Sequence, residues 1–265
     1  CMFVALKGER VDGHDYVGHA FEQGASFALV HEDLSSQFPQ LDLRSEVTAQ
    51  QLANLPQPAC LLVPETPSAL QQIARFWRAK LDVTVIGITG SVGKSTTKEV
   101  VAHVLSHRYP TLKNEGNYNN EIGLPVTILS LTEGHQRAVL EMGFYVPGEI
   151  QFLCEIARPK IGVVTNIGTV HAERAGSQAE IARGKAELVR RARIVGTVLD
   201  SLGLCKVPVL SVVGDFSLEN EADLGPDDDG VNNIDPRSDV ADCDVADDGL
   251  HMPVVMPHCQ ETTLE

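Results

Sequence analysis

The sequence predicts an α/β protein in two successive units: a small N-terminal α/β unit, then a parallel sheet built around a phosphate loop. Three observations carry this. Over residues 1–81 short apolar strands alternate with helical spacing, from Val83 the strands become continuous β-branched runs, and a glycine-rich loop ends the first of those runs. Continuous apolar runs separated by helical stretches mark strands covered on both faces, the habit of parallel sheets.

In the first unit, residues 1–81, Phe3-Val4-Ala5-Leu6, Phe27-Ala28-Leu29-Val30 and Cys60-Leu61-Leu62-Val63 are strand candidates. Between the first two, Asp15 to Gly24 carries Val17, Ala20 and Phe21 at helical spacing. Leu34 to Pro58 is polar and proline-punctuated and reads as a loop or variable insertion. Pro67 to Lys80 reads as an amphipathic helix with Leu70, Ile73, Ala74 and Trp77 on one face. In the second unit, residues 82–195, the strands are Val83 to Ile88, Ala138-Val139-Leu140 and Ile161-Gly162-Val163-Val164, with a helix from Gln178 toward Arg193. Ligands of such sheets sit at the carboxyl ends of the strands, so the residues after each run are the candidates for chemistry.

Charge is distributed unevenly. Residues 1–214 hold 21 Asp and Glu against 20 Lys and Arg, whereas residues 215–265 hold 15 against Arg237 alone, so the net charge of -15 belongs to the end of the chain. Residues 196–265 read as an acidic, solvated tail, because Asp227-Asp228-Asp229, Asp242, Asp244, Asp247 and Asp248 fall among Gly, Asn and Pro with little periodic apolar spacing. No full calcium-loop motif accompanies them. The balanced part lacks the clustered Lys and Arg of a nucleic-acid footprint. The six cysteines form no zinc-ligand pair and read as reduced thiols of a cytoplasmic protein. No apolar run approaches the ~20 residues that span a bilayer. The chain opens on what reads as a strand already under way, so a preceding segment is expected.

The most informative stretch is Gly87-Ile88-Thr89-Gly90-Ser91-Val92-Gly93-Lys94-Ser95-Thr96, placed where a buried strand ends and a helix begins. Glycines let the backbone aim N–H groups at phosphate oxygens, Lys94 adds positive charge near the β- and γ-phosphates, and the Ser95 hydroxyl can hold Mg²⁺. The full phosphate-loop motif would need glycine at position 88, which is Ile88, so the shorter G-x-x-G-K-S form is present. This is a nucleoside triphosphate site.

That shortened loop preceded by Thr89 resembles the Mur ligases and the related folylpolyglutamate synthetases. Further segments extend the resemblance in order: Asn117-Tyr118-Asn119-Asn120-Glu121-Ile122-Gly123-Leu124-Pro125, then Leu140-Glu141-Met142-Gly143, Thr165-Asn166-Ile167-Gly168, His171, Gly176-Ser177 and Lys185. It covers roughly residues 1–193. The opening Phe3 to Asp15, with Lys7-Gly8-Glu9-Arg10 and His14, is similar to the UDP-sugar-binding domain of the branch that adds D-alanyl-D-alanine, although the branch that adds the third residue is alike in this domain. The folylpolyglutamate branch fits less well, because a long domain precedes the phosphate loop here.

The resemblance implies an ATP-dependent, Mg²⁺-dependent ligase in cell-wall precursor synthesis, with UDP-N-acetylmuramoyl-tripeptide and D-alanyl-D-alanine as partners and a monomeric, cytoplasmic habit. ATP would meet Gly90, Ser91, Val92, Gly93, Lys94, Ser95, Thr96 and Asn120. Mg²⁺ would meet Ser95, Glu141, His171 and, once carbamylated, Lys185; Lys94, Lys185 and His171 would serve catalysis. Each residue also has a plainer reading: Glu141 as a solvated strand end, His171 as a structural hydrogen-bonding residue, Lys185 as a surface lysine beside Arg183 and Arg190. The family's C-terminal ligase domain, which closes over ATP, is not recognisable in residues 194–265. The chain therefore reads as a fragment or a disrupted gene product, with an inactive nucleotide-binding fragment as the alternative to a working ligase.

Overall fold

A computed structural model of the chain describes residues 1–168, 177–192 and 194–197, so the acidic tail expected over 196–265 lies almost wholly outside the described residues. The first sheet contains β1 (Met2–Val4), β2 (Phe27–Val30), β3 (Gln40–Asp42) and β4 (Ala59–Leu62), all parallel, in the order β1-β2-β4-β3. Period-two alternation explains its burial. Phe3, Ala28, Val30, Cys60 and Leu62 face α1 (Val17–Glu22) and the aromatic rings of Phe21 and Phe38, whereas Val4, Leu29, Leu61 and Val63 face the other way, onto Leu70 of α3 (Thr66–Lys80).

Two departures from the sequence reading concern this unit. The segment 34–58, expected as a loop, supplies the edge strand β3 and the short helix α2 (Ala49–Ala53). Thr48 caps α2 reciprocally with Gln51, its hydroxyl accepting from the Gln51 N–H while the Gln51 side chain accepts from the Thr48 N–H. The helix expected over Asp15 to Gly24 begins as a 3₁₀ turn, Gly13–Tyr16, and becomes α-helical only at Val17. Helix α3 holds its expected apolar face, with Leu70 and Ala74 fully buried.

The second sheet orders its strands β6-β7-β5-β8-β9, again all parallel. They are β5 (Thr84–Thr89), β6 (Thr111–Lys113), β7 (Arg137–Glu141), β8 (Ile161–Val164) and β9 (Ile194–Thr197). Helix α4 (Lys94–Ser106) covers one face over Ile86, Ile88, Val139 and Val163. The opposite face, with Val85, Leu140 and Met142, is covered by α5 (Gly123–Leu129), α6 (Glu149–Ala157) and α7 (Gln178–Arg191). Gly87 and Gly162 are register partners on β5 and β8, and a side chain at either would collide with Leu188 of α7. Their lack of side chains lets α7 lie close to the sheet, which fixes where α7 presents Lys185.

Helix α3 belongs to both sheets' surroundings. Its Leu70 packs under the first sheet, while Trp77 Nε1 donates to the Leu131 carbonyl (2.8 Å). The buried Arg78 guanidinium donates to three carbonyls, Ala157 (2.8 Å), Leu81 (2.9 Å) and Val83 (2.7 Å). Leu81, where the sequence reading places the end of the first unit, is thus the helix's C-terminal cap and part of the second sheet's core cluster.

Candidate nucleotide and metal site

The phosphate loop spans the gap between β5, ending at Thr89, and α4, starting at Lys94. Gly93 has φ +83, a left-handed conformation that glycine adopts without strain. Gly90 passes against the Thr165 side chain, so closely that no Cβ could fit. The loop amides are therefore bent around the first turn of α4, whose N–H groups have no intrahelical acceptors and carry the positive end of the helix dipole. Lys94 Nζ donates to the carbonyls of Gly90 (2.9 Å) and Ser91 (3.4 Å), so its charge stands over the loop. Ser95 and Thr96 are exposed on that first turn.

The end of β8 stitches the loop in place. Asn166 Oδ1 accepts from both the Ser91 and Val92 N–H groups (2.9 Å each), Thr165 Oγ1 donates to the Val92 carbonyl (2.6 Å), and Ser91 Oγ accepts from the Gly168 N–H (2.9 Å). The sequence alone gives this Thr-Asn-Ile-Gly segment a family resemblance but no role. Its chain separation of over seventy residues from the loop leaves no local signal of the contact.

Glu141 ends β7, and its register partner is Ile88 of β5, so its carboxylate stands at the same sheet edge as the loop. It is 4% exposed. Asn114, fully buried, clamps its backbone: the Asn114 Oδ1 accepts from the Glu141 N–H (2.9 Å) while Asn114 Nδ2 donates to the Glu141 carbonyl (3.1 Å). Asn119 Nδ2 donates to Glu141 Oε1 (3.0 Å). The second oxygen, Oε2, is buried and accepts no hydrogen bond from the described residues; the ammonium of buried Lys98 is 4.0 Å from it. A buried carboxylate oxygen without a donor is costly unless a cation takes it. Its hard, anionic donor chemistry fits Mg²⁺.

Lys185 is 1% exposed, on the face of α7 that meets Phe144, with Nζ 4.5 Å from the ring centroid. Burial, and secondarily the charge of Lys94, brings its amine down to about 8. This is a buried lysine, not the surface residue of the plainer reading, and its neighbours Arg183 and Arg190 are exposed. Asn120 lines a cavity of about 390 Å³ with Gln71, Gly143 and Phe152, and its side-chain oxygen accepts from the Ile122 (3.2 Å) and Gly123 (2.8 Å) N–H groups, capping the start of α5. His171 and Gly176 lie outside the described residues.

In the first unit, His14 is buried and fully engaged. Its Nδ1 is 2.6 Å from Asp12 Oδ1, and its Nε2 accepts from the His31 N–H (3.1 Å). The backbone N–H and ring of His14 together hold the Asp12 carboxyl down at about 2. His14, His31 and Glu32 come close enough to share an ion, but the His14 Nε2 lone pair is already taken by that backbone N–H. His14 thus pins the loop from Lys7 to Asp15 against the end of β2.

Comparison with known proteins finds matches to both units. Residues 1–78 match the Mur ligase family, catalytic domain, and residues 88–200 match the Mur ligase middle domain. The UDP-N-acetylmuramoyl-tripeptide--D-alanyl-D-alanine ligase of Bacillus subtilis (strain 168) is 39% identical over 199 residues, which are 75% of this chain and 40% of that protein. The ligase of the same name from Escherichia coli (strain K12) is 37% identical over 188 residues, 71% of this chain and 37% of that protein. Among solved structures, MurF ligase from Thermotoga maritima in complex with ADP is 32% identical with a TM-score of 0.60, covering 76% of this chain and 43% of that one. Crystal structure I of MurF from Acinetobacter baumannii is 35% identical with a TM-score of 0.58, covering 72% and 38%. The chain thus spans about 40% of the length of the curated relatives it matches.

Proposed function

The chain belongs to the Mur ligase family over residues 1–78 and 88–200, and on that premise we propose that it supplies the UDP-sugar-binding and ATP-binding parts of a ligase that joins D-alanyl-D-alanine to UDP-N-acetylmuramoyl-tripeptide. One observation carries the reading. The phosphate loop and Glu141 Oε2, to which no described residue donates, meet at one sheet edge, and Lys185 is buried on α7. The curated relatives that match 71–75% of this chain at 37–40% identity carry that ligase's name.

In the proposed reaction the terminal carboxylate of the tripeptide attacks the γ-phosphorus of ATP, and the bond to ADP breaks. The amine of D-alanyl-D-alanine then attacks the resulting acyl phosphate, releasing inorganic phosphate and a proton as the amide forms. The chain's part is positioning and electrostatics. Lys94 and the N–H groups at the start of α4 receive the phosphates, and Lys94 moves from loop carbonyls to phosphate oxygens. Glu141 Oε2 and the Ser95 hydroxyl would hold Mg²⁺, which when bound offsets charge on the phosphate oxygens. Lys185, lowered to about 8, has a larger neutral fraction than an ordinary lysine and so is suited to react with CO₂; the resulting carbamate would add an anionic ligand where an ammonium would repel a metal.

The test is phosphate release from ATP with UDP-N-acetylmuramoyl-tripeptide and D-alanyl-D-alanine supplied together and singly, alongside calorimetry of ADP and of the UDP-tripeptide. Binding of both nucleotides by this chain is the expected result, and release that needs both acceptor substrates is expected of a full-length ligase carrying these two domains. Release driven by a single amino acid on a shorter UDP-peptide would assign a different ligase of the family. Failure to bind either nucleotide would overturn the reading.

A further inference from the structure

Lys98 belongs to none of the motifs that identify the site, yet it is one of the least expected residues in it. It lies one turn beyond Lys94 on α4 and is 2% exposed, although a lysine ordinarily keeps its ammonium in water. Its Nζ stands between two carboxylates, 3.6 Å from Glu99 Oε1 and 4.0 Å from Glu141 Oε2. Glu99, half exposed, is also paired with Lys113 on β6. A row of alternating charges, Lys113, Glu99, Lys98, Glu141, therefore runs from the surface to the buried sheet edge.

The separation from Glu141 is the informative detail. At 4.0 Å the ammonium is too far to hydrogen-bond with Oε2, so it compensates the buried charge without occupying the lone pairs. A metal bound at Oε2 would meet a neighbouring cation, and the two would repel strongly in a site shielded from water. Glu99 offers Lys98 a second place to go.

We propose that Lys98 is the resident counter-cation of Glu141: a positioning residue that holds the metal-free carboxylate in place and yields to a divalent cation by shifting onto Glu99. The inference rests on the reading of Glu141 as a metal ligand. It makes Lys98 a brake on metal binding, which a purely structural buried lysine is not.

The test is Mn²⁺ binding to the whole chain in the presence of ADP, read by the loss of free-ion electron paramagnetic resonance, with melting temperatures taken with and without Mn²⁺. Lys98→Met should lower the melting temperature of the metal-free chain but bind Mn²⁺ about tenfold or more tightly, since a unit charge a few ångströms away is removed. Glu99→Gln, which takes away the second carboxylate, should act in the opposite sense and weaken Mn²⁺ severalfold. Should Lys98→Met fail to fold, Lys98→Gln carries the same expectation and Glu99→Gln stands alone as a test. Glu141→Gln separates the two ideas. If it abolishes Mn²⁺ binding while the Lys98 variants bind no more tightly than wild type, or Glu99→Gln binds as wild type does, this inference is overturned and the metal reading survives. If Glu141→Gln binds Mn²⁺ like wild type, both are overturned.

Discussion

The ammonium of Lys185 faces the ring of Phe144 at 4.5 Å, and the residue before it, Gly184, lies against the same ring. The ring's negative face offers some compensation for the lost water, but burial and the charge of Lys94 still bring the amine to about 8 from an ordinary 10.5. Two consequences can be measured. Carbamylation needs the neutral amine, so a ¹³C-carbamate signal from labelled bicarbonate should rise as pH crosses about 8 and be absent from Lys185→Met. The stability consequence follows from proton counting. Between about 8 and 10.5 the unfolded chain holds the Lys185 proton and the folded chain does not, so stability rises with pH across that window. Relative to Lys185→Met, bicarbonate-free melting temperatures should climb from pH 8 to 10.5 and run parallel below 8; parallel curves throughout would refute the shift.

Gly184→Ala should dislodge Phe144, because the new methyl group would occupy space the ring now fills. Overpacking of this kind typically costs ~1–3 kcal/mol, measurable by urea denaturation. With the ring displaced and water admitted, the carbamate midpoint should move back up toward that of an ordinary lysine.

Lys94→Ala should weaken ATP and ADP by about 10- to 100-fold, since hydrogen bonds to charged groups are worth ~1.5–3 kcal/mol. Because the charge of Lys94 is the second cause of the lowered Lys185 value, the same variant should raise the pH at which carbamate forms. Calorimetry tests the first effect and the labelled-bicarbonate titration the second; a nucleotide affinity equal to wild type would remove the loop from the phosphate site.

Arg78→Met should destabilise the chain by about 3 kcal/mol or more, because it strands three buried carbonyls, those of Ala157, Leu81 and Val83. Arg78→Lys should recover little, as a single ammonium cannot reach all three with the fork geometry of a guanidinium. ADP affinity of the folded fraction should be unchanged, which denaturant curves followed by calorimetry at low denaturant would show.

The strands with strong apolar runs were legible because burial on both faces leaves a mark on every residue. Phe27–Val30 and Ile161–Val164 have the bounds read from the sequence, and the helix over Pro67 to Lys80 differs by one residue at its start. The edge strand Gln40–Asp42 was not legible: its three residues are all half-buried, and only its pairing with Cys60 to Leu62 makes it a strand. In the site, Lys94 and Glu141 sit at motif positions that sequence can carry. Lys98 cannot be recognised that way, since four residues past Lys94 on a helix it looks like any solvated lysine, and only the carboxylate on a neighbouring strand explains its burial. Asn114 and Asn166 are alike in this, each acting on backbone that is remote in sequence.

Helix α3 has a consequence for synthesis on the ribosome. One side of it is satisfied by strands that precede it, but the partners of Trp77 and Arg78 include Leu131 and Ala157, which are translated later. At roughly 5–20 residues per second, the ribosome needs on the order of 4–15 s to deliver Ala157 after Lys80. During that interval the nascent chain carries a finished helix with an uncovered apolar flank and a guanidinium that lacks its Ala157 partner. A translational pause placed soon after Lys80 would prolong that exposure and raise the demand for chaperone capture, whereas one placed after Ala157 would come when the flank is already sealed.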